Sequence, residues 1–188
     1  MNIFGLSILD LSGSVISIFS VLCMLKKNIL YWYSSIVCNI LWFIVFFNKA
    51  LYLSSALQAS YILFSFYGII RWNQINNKKS IPSYMDYIGI AISLAITSIA
   101  IINTSFNNLY HVIEVIAVVI LITANLLTAK EKSSCWYFWI IGDILFAIFL
   151  FHAKVYGMFI IQFVFLGLSV WGLFEWKKSN KKNSQQVN

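Results

Sequence analysis

The chain has 188 residues, of which 61% are hydrophobic and 10% charged, and its mean hydropathy is +0.83. This composition excludes a soluble domain with a polar surface and predicts an integral membrane protein. The formal net charge of +7 does not require a nucleic acid partner, because the basic residues follow alternate apolar segments.

Seven apolar segments follow one another along the chain. Crossing a hydrocarbon core of about 30 Å takes roughly 20 helical residues. The charge-poor runs lie near residues 5–25, 29–47, 51–72, 83–102, 108–128, 134–151 and 155–176. Continuously apolar runs favour helices over the alternating strands of a barrel, since a helix satisfies its own backbone hydrogen bonds in lipid. We therefore predict an all-α membrane protein with seven transmembrane helices.

Lysine and arginine residues predict the orientation, because they are retained on the cytoplasmic side of a membrane. Eleven of them follow the first, third, fifth and seventh segments, whereas only Lys49 and Lys154 lie at the other face. We expect the N-terminus outside and the C-terminus in the cytoplasm. The polar, basic segment 179–188 is predicted to be a disordered cytoplasmic tail.

Residues 26–72 recur without a gap as residues 130–176, with 13 identities over 47 positions. The matches least explained by composition are Trp32 with Trp136, Gln58 with Gln162, Gly68 with Gly172 and Trp72 with Trp176. We predict one transporter domain over 1–178, with repeat 1 at about 5–72, a linker helix at about 83–102 and repeat 2 at about 108–176. A single linker helix makes the two triplets parallel, a 3+1+3 arrangement typical of transporters.

The sixth segment carries a polar stripe at membrane depth. Trp136, Trp139 and Asp143 are spaced i, i+3 and i+7 and so share one helix face. A carboxylate near the middle of a bilayer is costly unless it faces protein or water. The first repeat has Asn39 at the position of Asp143, which predicts an asymmetric site on a symmetric frame.

Three other segments contribute candidate site residues. Gln58 and Tyr61 on the third segment and Gln162 on the seventh are expected to face the interior, where the glutamines fit interhelical hydrogen bonding as well as substrate binding. Glu114 on the fifth segment follows His111 by one turn. We predict local pairing for His111 and leave a functional or a packing role open for Glu114.

The tryptophan and glycine positions that match between the two repeats also have a structural interpretation. Gly68 and Gly172 are expected to be close-packing contacts between helices. Trp72 and Trp176 end their segments at the cytoplasmic side, where tryptophan commonly anchors a helix at the membrane surface.

Aromatic faces beside a buried carboxylate suit a flat, cationic heteroaromatic solute. The alternative from another class is a membrane enzyme that uses Asp143, Glu114 and His111. The sequence has no GxSxG or HExxH motif and no phosphate-binding glycine loop, which disfavours it. A purely structural protein leaves the polar stripes of both repeats unexplained. No cofactor or metal is predicted.

The block LYxxxxLQxxYxxxSxYGxxxW from Leu51 to Trp72, with the pair Trp136 and Trp139, resembles the bacterial nicotinamide riboside transporter family, the Pnu-type vitamin transporters. The resemblance covers roughly residues 10–178. It implies a homotrimer in the bacterial inner membrane that carries nicotinamide riboside by facilitated diffusion, with a cytoplasmic kinase trapping the vitamin. We expect the halves to move by alternating access.

The resemblance implies a substrate site at Trp136, Trp139, position 143, Gln58 and Tyr61, to which we add Asn39, Gln162 and Glu114 from their positions on the helices. Nicotinamide riboside carriers of this family typically have asparagine where this chain has Asp143. Members of the family also carry thiamine, which is a permanent cation and the close alternative. Neutral riboflavin fits less well.

Overall fold

The computed structural model describes residues 8–77, 84–102 and 108–185. Its helices are α1 (Ile8–Leu25), α2 (Leu30–Asn48), α3 (Tyr52–Asn76), α4 (Tyr84–Ile102), α5 (Leu109–Ala129), α6 (Cys135–His152) and α7 (Tyr156–Gln185). Among the described residues, the helices α1, α2, α3, α5, α6 and α7 are identified as long and apolar enough to cross a membrane. The predicted spans are therefore present as helices. The predicted first residues of the first and fourth spans lie outside the described residues.

The structure differs from the sequence prediction at the end of the chain. α7 continues as helix to Gln185, nine residues beyond Trp176, whereas we predicted a disordered tail from residue 179. The prediction is wrong for residues 179–185. Lysine and glutamine are good helix formers, and neither proline nor glycine interrupts this segment. Residues 186–188 lie outside the described residues.

Short left-handed turns join the helices within each repeat. The residues with positive φ are Lys27 (50°), Ala50 (58°), Glu131 (51°) and Lys154 (57°). Each turn is closed by an N–H that reaches back five residues to a carbonyl, as in Asn28 to Cys23 and Lys132 to Leu127, both 3.0 Å. These turns recur at an offset of 104 residues, which is the offset of the sequence repeat.

Six helices contact one another in a closed ring. The order of contact is α1, α2, α3, α5, α6, α7 and back to α1. Among the described helices, α4 packs on α3 and α5. Each repeat is therefore in contact with the other along two seams, α3 with α5 and α7 with α1. The interior of the ring is where residues of both repeats can meet.

Glycine allows an indole ring to lie against a helix backbone in each repeat. A Cβ atom at Gly68 would overlap the ring of Trp32, and one at Gly172 would overlap the ring of Trp136. Close packing at the glycines was predicted from the sequence. Trp32 in turn meets the edge of Trp72, with ring centroids 5.3 Å apart.

Trp72 and Trp176 differ from the prediction. Both are only 1% exposed, so they are not anchors at the membrane surface. The indole N–H of Trp72 donates to the carbonyl oxygen of Thr128 at 3.3 Å, and that of Trp176 donates to Leu25 at 3.1 Å. Each bond crosses from one repeat to the other. The two tryptophans therefore join the halves rather than fasten a helix to lipid.

Candidate functional site

A cavity of about 90 Å³ lies inside the ring and is lined by residues of α1, α2, α3, α5, α6 and α7. Four of the predicted polar residues line it, namely Asn39, Gln58, Asp143 and Gln162. The predicted aromatic residues that line it are Tyr61, Trp136 and Trp139. The structure thus brings together, in one cavity, residues that are spread over more than a hundred positions of the sequence.

Glu114 is the exception among the predicted site residues, because it does not line this cavity. Its carboxylate is 2% exposed and lies in the seam between α3 and α5. Ser54 Oγ donates to Glu114 Oε1 at 2.5 Å, and His111 Nδ1 lies 3.5 Å from Oε2. The pairing predicted for His111 is present. Glu114 thus contacts these two neighbours at the seam and lies apart from the cavity lining.

Asp143 supplies the cavity with its acidic side chain and is 4% exposed. The described part of the chain donates no hydrogen bond to its carboxylate, and no lysine, arginine or histidine is among the cavity-lining residues. A buried ionised carboxylate without a partner is strongly disfavoured. A positively charged solute would supply the counter-charge that the described cavity lining lacks.

The equivalent region of the first repeat is neutral and internally hydrogen-bonded. Asn39 Nδ2 donates to Ser35 Oγ at 3.0 Å, and Trp42 Nε1 donates to Ser17 Oγ at 3.1 Å. These groups have hydrogen-bond partners, whereas the Asp143 carboxylate has none among the described residues. The asymmetry predicted from Asn39 and Asp143 thus extends to the hydrogen bonds around them.

Several buried polar atoms of cavity-lining residues lack a hydrogen-bond partner among the described residues. They are Tyr61 Oη, Asn125 Oδ1, Trp136 Nε1 and Gln162 Oε1. Buried polar atoms are rarely left unpaired in native structures. These four protein atoms belong to a hydroxyl, two amide carbonyls and an indole N–H. Such groups can form hydrogen bonds with the hydroxyl and amide groups of a polar heterocycle.

Asn125 is a cavity-lining residue that the sequence analysis missed. It lies on α5 and is 1% exposed. The available signal was an amide side chain inside a 21-residue segment that is mostly apolar. Such a residue is costly in lipid unless it faces protein or water, and it had no counterpart in the aligned repeat to draw attention to it.

Trp139 forms an aromatic wall of the cavity together with Tyr61. Their ring centroids are 5.9 Å apart and the ring planes are inclined by 61°, an edge-to-face arrangement. The indole N–H of Trp139 donates to Thr128 Oγ1 at 3.0 Å. Trp136 is more deeply buried, at 1% exposure, and its ring also packs on Trp176 with centroids 5.4 Å apart.

A ring of apolar helices around a buried, acidic and aromatic cavity defines a multi-pass membrane protein with an internal solute site. The family model for nicotinamide mononucleotide transporters matches residues 7–178, and the chain belongs to this family. The resemblance found in the sequence is thereby confirmed. The fold is similar to that of a solved structure, the vitamin B3 transporter PnuC, with a TM-score of 0.71 at 20% identity over 93% of this chain and 82% of that chain. No curated protein sequence matches the chain significantly.

Proposed function

We propose that this protein takes up a cationic heteroaromatic vitamin, with nicotinamide riboside as the first candidate and thiamine as the second. The observation that carries the proposal is the Asp143 carboxylate, which lies in an aromatic cavity with no counter-charge among its lining residues. The solute provides the positive charge, and the rings of Tyr61 and Trp139 provide stacking and cation–π attraction.

The same charge distribution favours a nucleoside over its phosphate ester. A phosphate group is bound by basic side chains or by converging N–H donors, and the described cavity lining contains no basic residue. An ionised Asp143 also repels a phosphate dianion. We therefore assign the unphosphorylated vitamin as the transported form, with a cytoplasmic kinase that acts on it after entry.

Alternating access of two parallel repeats is the proposed mechanism. In this arrangement α4 crosses the membrane between the two repeats, which gives seven spans, and the N-terminus lies outside the bacterial inner membrane. A cavity of about 90 Å³ is smaller than the roughly 300–1,000 Å³ of typical ligand pockets. Binding a nucleoside therefore requires the helices around the cavity to separate. We propose that this movement occurs at the seams between the repeats. We also propose that the protein is a homotrimer that works by facilitated diffusion.

Calorimetry on the purified protein tests the proposal. Nicotinamide riboside and thiamine are titrated into the wild-type protein and into Asp143→Asn, which keeps the shape of the side chain and removes its charge. We expect binding of at least one solute. The variant should bind thiamine about 10- to 100-fold more weakly, and should lose less affinity for nicotinamide riboside, whose carriers typically have asparagine at this position. Selective thiamine binding that the variant loses assigns the thiamine alternative.

Uptake into proteoliposomes supplies the second test. Trp139→Ala should abolish uptake, because it removes the aromatic wall opposite Tyr61. Trp171→Ala is the matched control, since Trp171 is 56% exposed on the outer surface of α7. Normal uptake in both Asp143→Asn and Trp139→Ala contradicts the proposed site.

A further inference from the structure

Trp139 is a cavity residue whose indole ring is hydrogen-bonded to another helix. Its indole N–H donates to Thr128 Oγ1 at 3.0 Å, so that α6 is tied to α5 through the ring itself. Tyr61 of α3 meets the same ring from another helix. Trp136, one turn earlier, has no described partner for its own indole N–H.

The hydroxyl of Thr128 is well placed to act as an acceptor. It is fully buried, and Oγ1 donates its hydrogen to the carbonyl oxygen of Ala124 at 2.9 Å. A hydroxyl has one donor and two acceptor positions. Because the donor is engaged within α5, the lone pairs remain to receive the indole N–H of Trp139.

The backbone of Thr128 is held from the opposite repeat. Its carbonyl oxygen accepts the indole N–H of Trp72 at 3.3 Å. Thr128 therefore receives two indole groups, one on its side chain from the cavity and one on its backbone from the seam. This double contact keeps the hydroxyl in a fixed place relative to the cavity.

The pair of Thr128 and Trp139 occurs in the second repeat only, whereas the first repeat has an indole-to-hydroxyl bond at other positions, from Trp42 to Ser17. The positions equivalent to Thr128 and Trp139, 104 residues earlier, are Met24 and Ser35, which cannot form this bond. The pair is found in the repeat that also carries Asp143. The indole, its acceptor and the carboxylate thus belong to the same half of the cavity.

We propose that Thr128 is the positioning residue of the substrate site: its hydroxyl fixes the plane of the Trp139 ring against which the cationic heterocycle stacks. The inference rests on the proposed function for its consequence in binding, and on the geometry alone for its effect on the ring. Thr128 does not line the cavity and acts through Trp139.

Calorimetry with nicotinamide riboside and thiamine tests the effect on binding. Thr128→Val keeps the shape of the side chain and removes the acceptor, and we expect about tenfold weaker binding of the solute that the wild-type protein binds. Thr128→Ser restores the hydroxyl and should bind within about twofold of wild type. Thr123→Val is the control, since Thr123 Oγ1 makes the same kind of bond, to Val119, but receives no indole.

A double-mutant cycle separates positioning from general stability. Trp139→Phe removes the donor, so Thr128→Val should cause no further loss of affinity in that background. Additive losses, or wild-type affinity in Thr128→Val, overturn the inference. If Thr128→Val is not recovered from membranes, Thr128→Ala replaces it in the cycle.

Tryptophan emission tests the geometry without any solute. Thr128→Val should shift the emission spectrum, and the shift should vanish in the Trp139→Phe background because the affected ring is absent. A shift that persists in that background contradicts the inference. If the emission result is as expected and neither solute binds the wild-type protein, the proposed function fails while the positioning role of Thr128 stands.

Discussion

Lys27 and Glu131 form a salt bridge, with Nζ and Oε2 3.1 Å apart, between positions separated by the 104 residues of the repeat. Lys27 Nζ also lies 4.9 Å from the ring centroid of Trp176. The pair joins the turn after α1 to the turn after α5, at the end of the ring where Trp72 and Trp176 also cross between the repeats.

Reversing one charge of this pair should weaken the contact between the halves. Glu131→Lys places two ammonium groups together, and we expect a loss of about 1 kcal/mol, because both side chains are 20–25% exposed and water screens the pair. The double variant Lys27→Glu with Glu131→Lys should recover most of the loss. Thermal unfolding in detergent measures both, and equal stability in all three proteins contradicts the contact.

Ser54 should matter for stability and not for substrate affinity. Ser54→Ala removes the hydroxyl that donates to Glu114 Oε1 and leaves a buried carboxylate oxygen unpaired. We expect a destabilisation of about 1–3 kcal/mol. The neighbour Ser55 is the control, since its hydroxyl donates only to the Leu51 carbonyl within α3. A large loss of affinity in Ser54→Ala with unchanged stability would place Glu114 in the transport site after all.

Two of the three glycines of α7, Gly167 and Gly172, should respond differently to alanine. A Cβ at Gly172 would overlap the ring of Trp136, so Gly172→Ala displaces a cavity-lining residue. We expect a loss of about 1–3 kcal/mol in stability and reduced uptake. Gly167 has no atom within 4 Å of its added Cβ, and Gly167→Ala should be neutral or stabilise the helix by up to about 1 kcal/mol. Thermal unfolding and vesicle uptake distinguish the two.

Asn125, unlike Ser54, should matter for substrate affinity and not for stability. Its buried Oδ1 has no partner among the described residues, so replacing the amide by an apolar side chain costs little in folding. We expect Asn125→Leu to be as stable as wild type or more so, and to bind the vitamin roughly threefold to tenfold more weakly. Calorimetry and thermal unfolding on the same preparation check this, with Thr123→Val as the control on α5. Unchanged affinity would remove Asn125 from the site.

The sequence predicted the membrane class and the described helices because these depend on local properties. An apolar run of about 20 residues must form its own hydrogen bonds in lipid wherever its neighbours lie. The stripe of Trp136, Trp139 and Asp143 was likewise readable, since spacing along one helix sets which side chains share a face. The gap-free repeat pointed to Asn39, Gln58 and Gln162, which the structure places at the same cavity.

Tertiary structure alone decided how each helix is turned about its own axis. In a membrane the lipid-facing side and the packed side of a helix are both apolar, so periodicity does not separate them. Glu114 therefore faces Ser54 instead of the cavity, and Trp72 is buried against the other repeat. Asn125 lines the cavity although the sequence analysis did not predict it. The bond from Trp139 to Thr128 and the pairing of Lys27 with Glu131 arise only when separate helices are brought together.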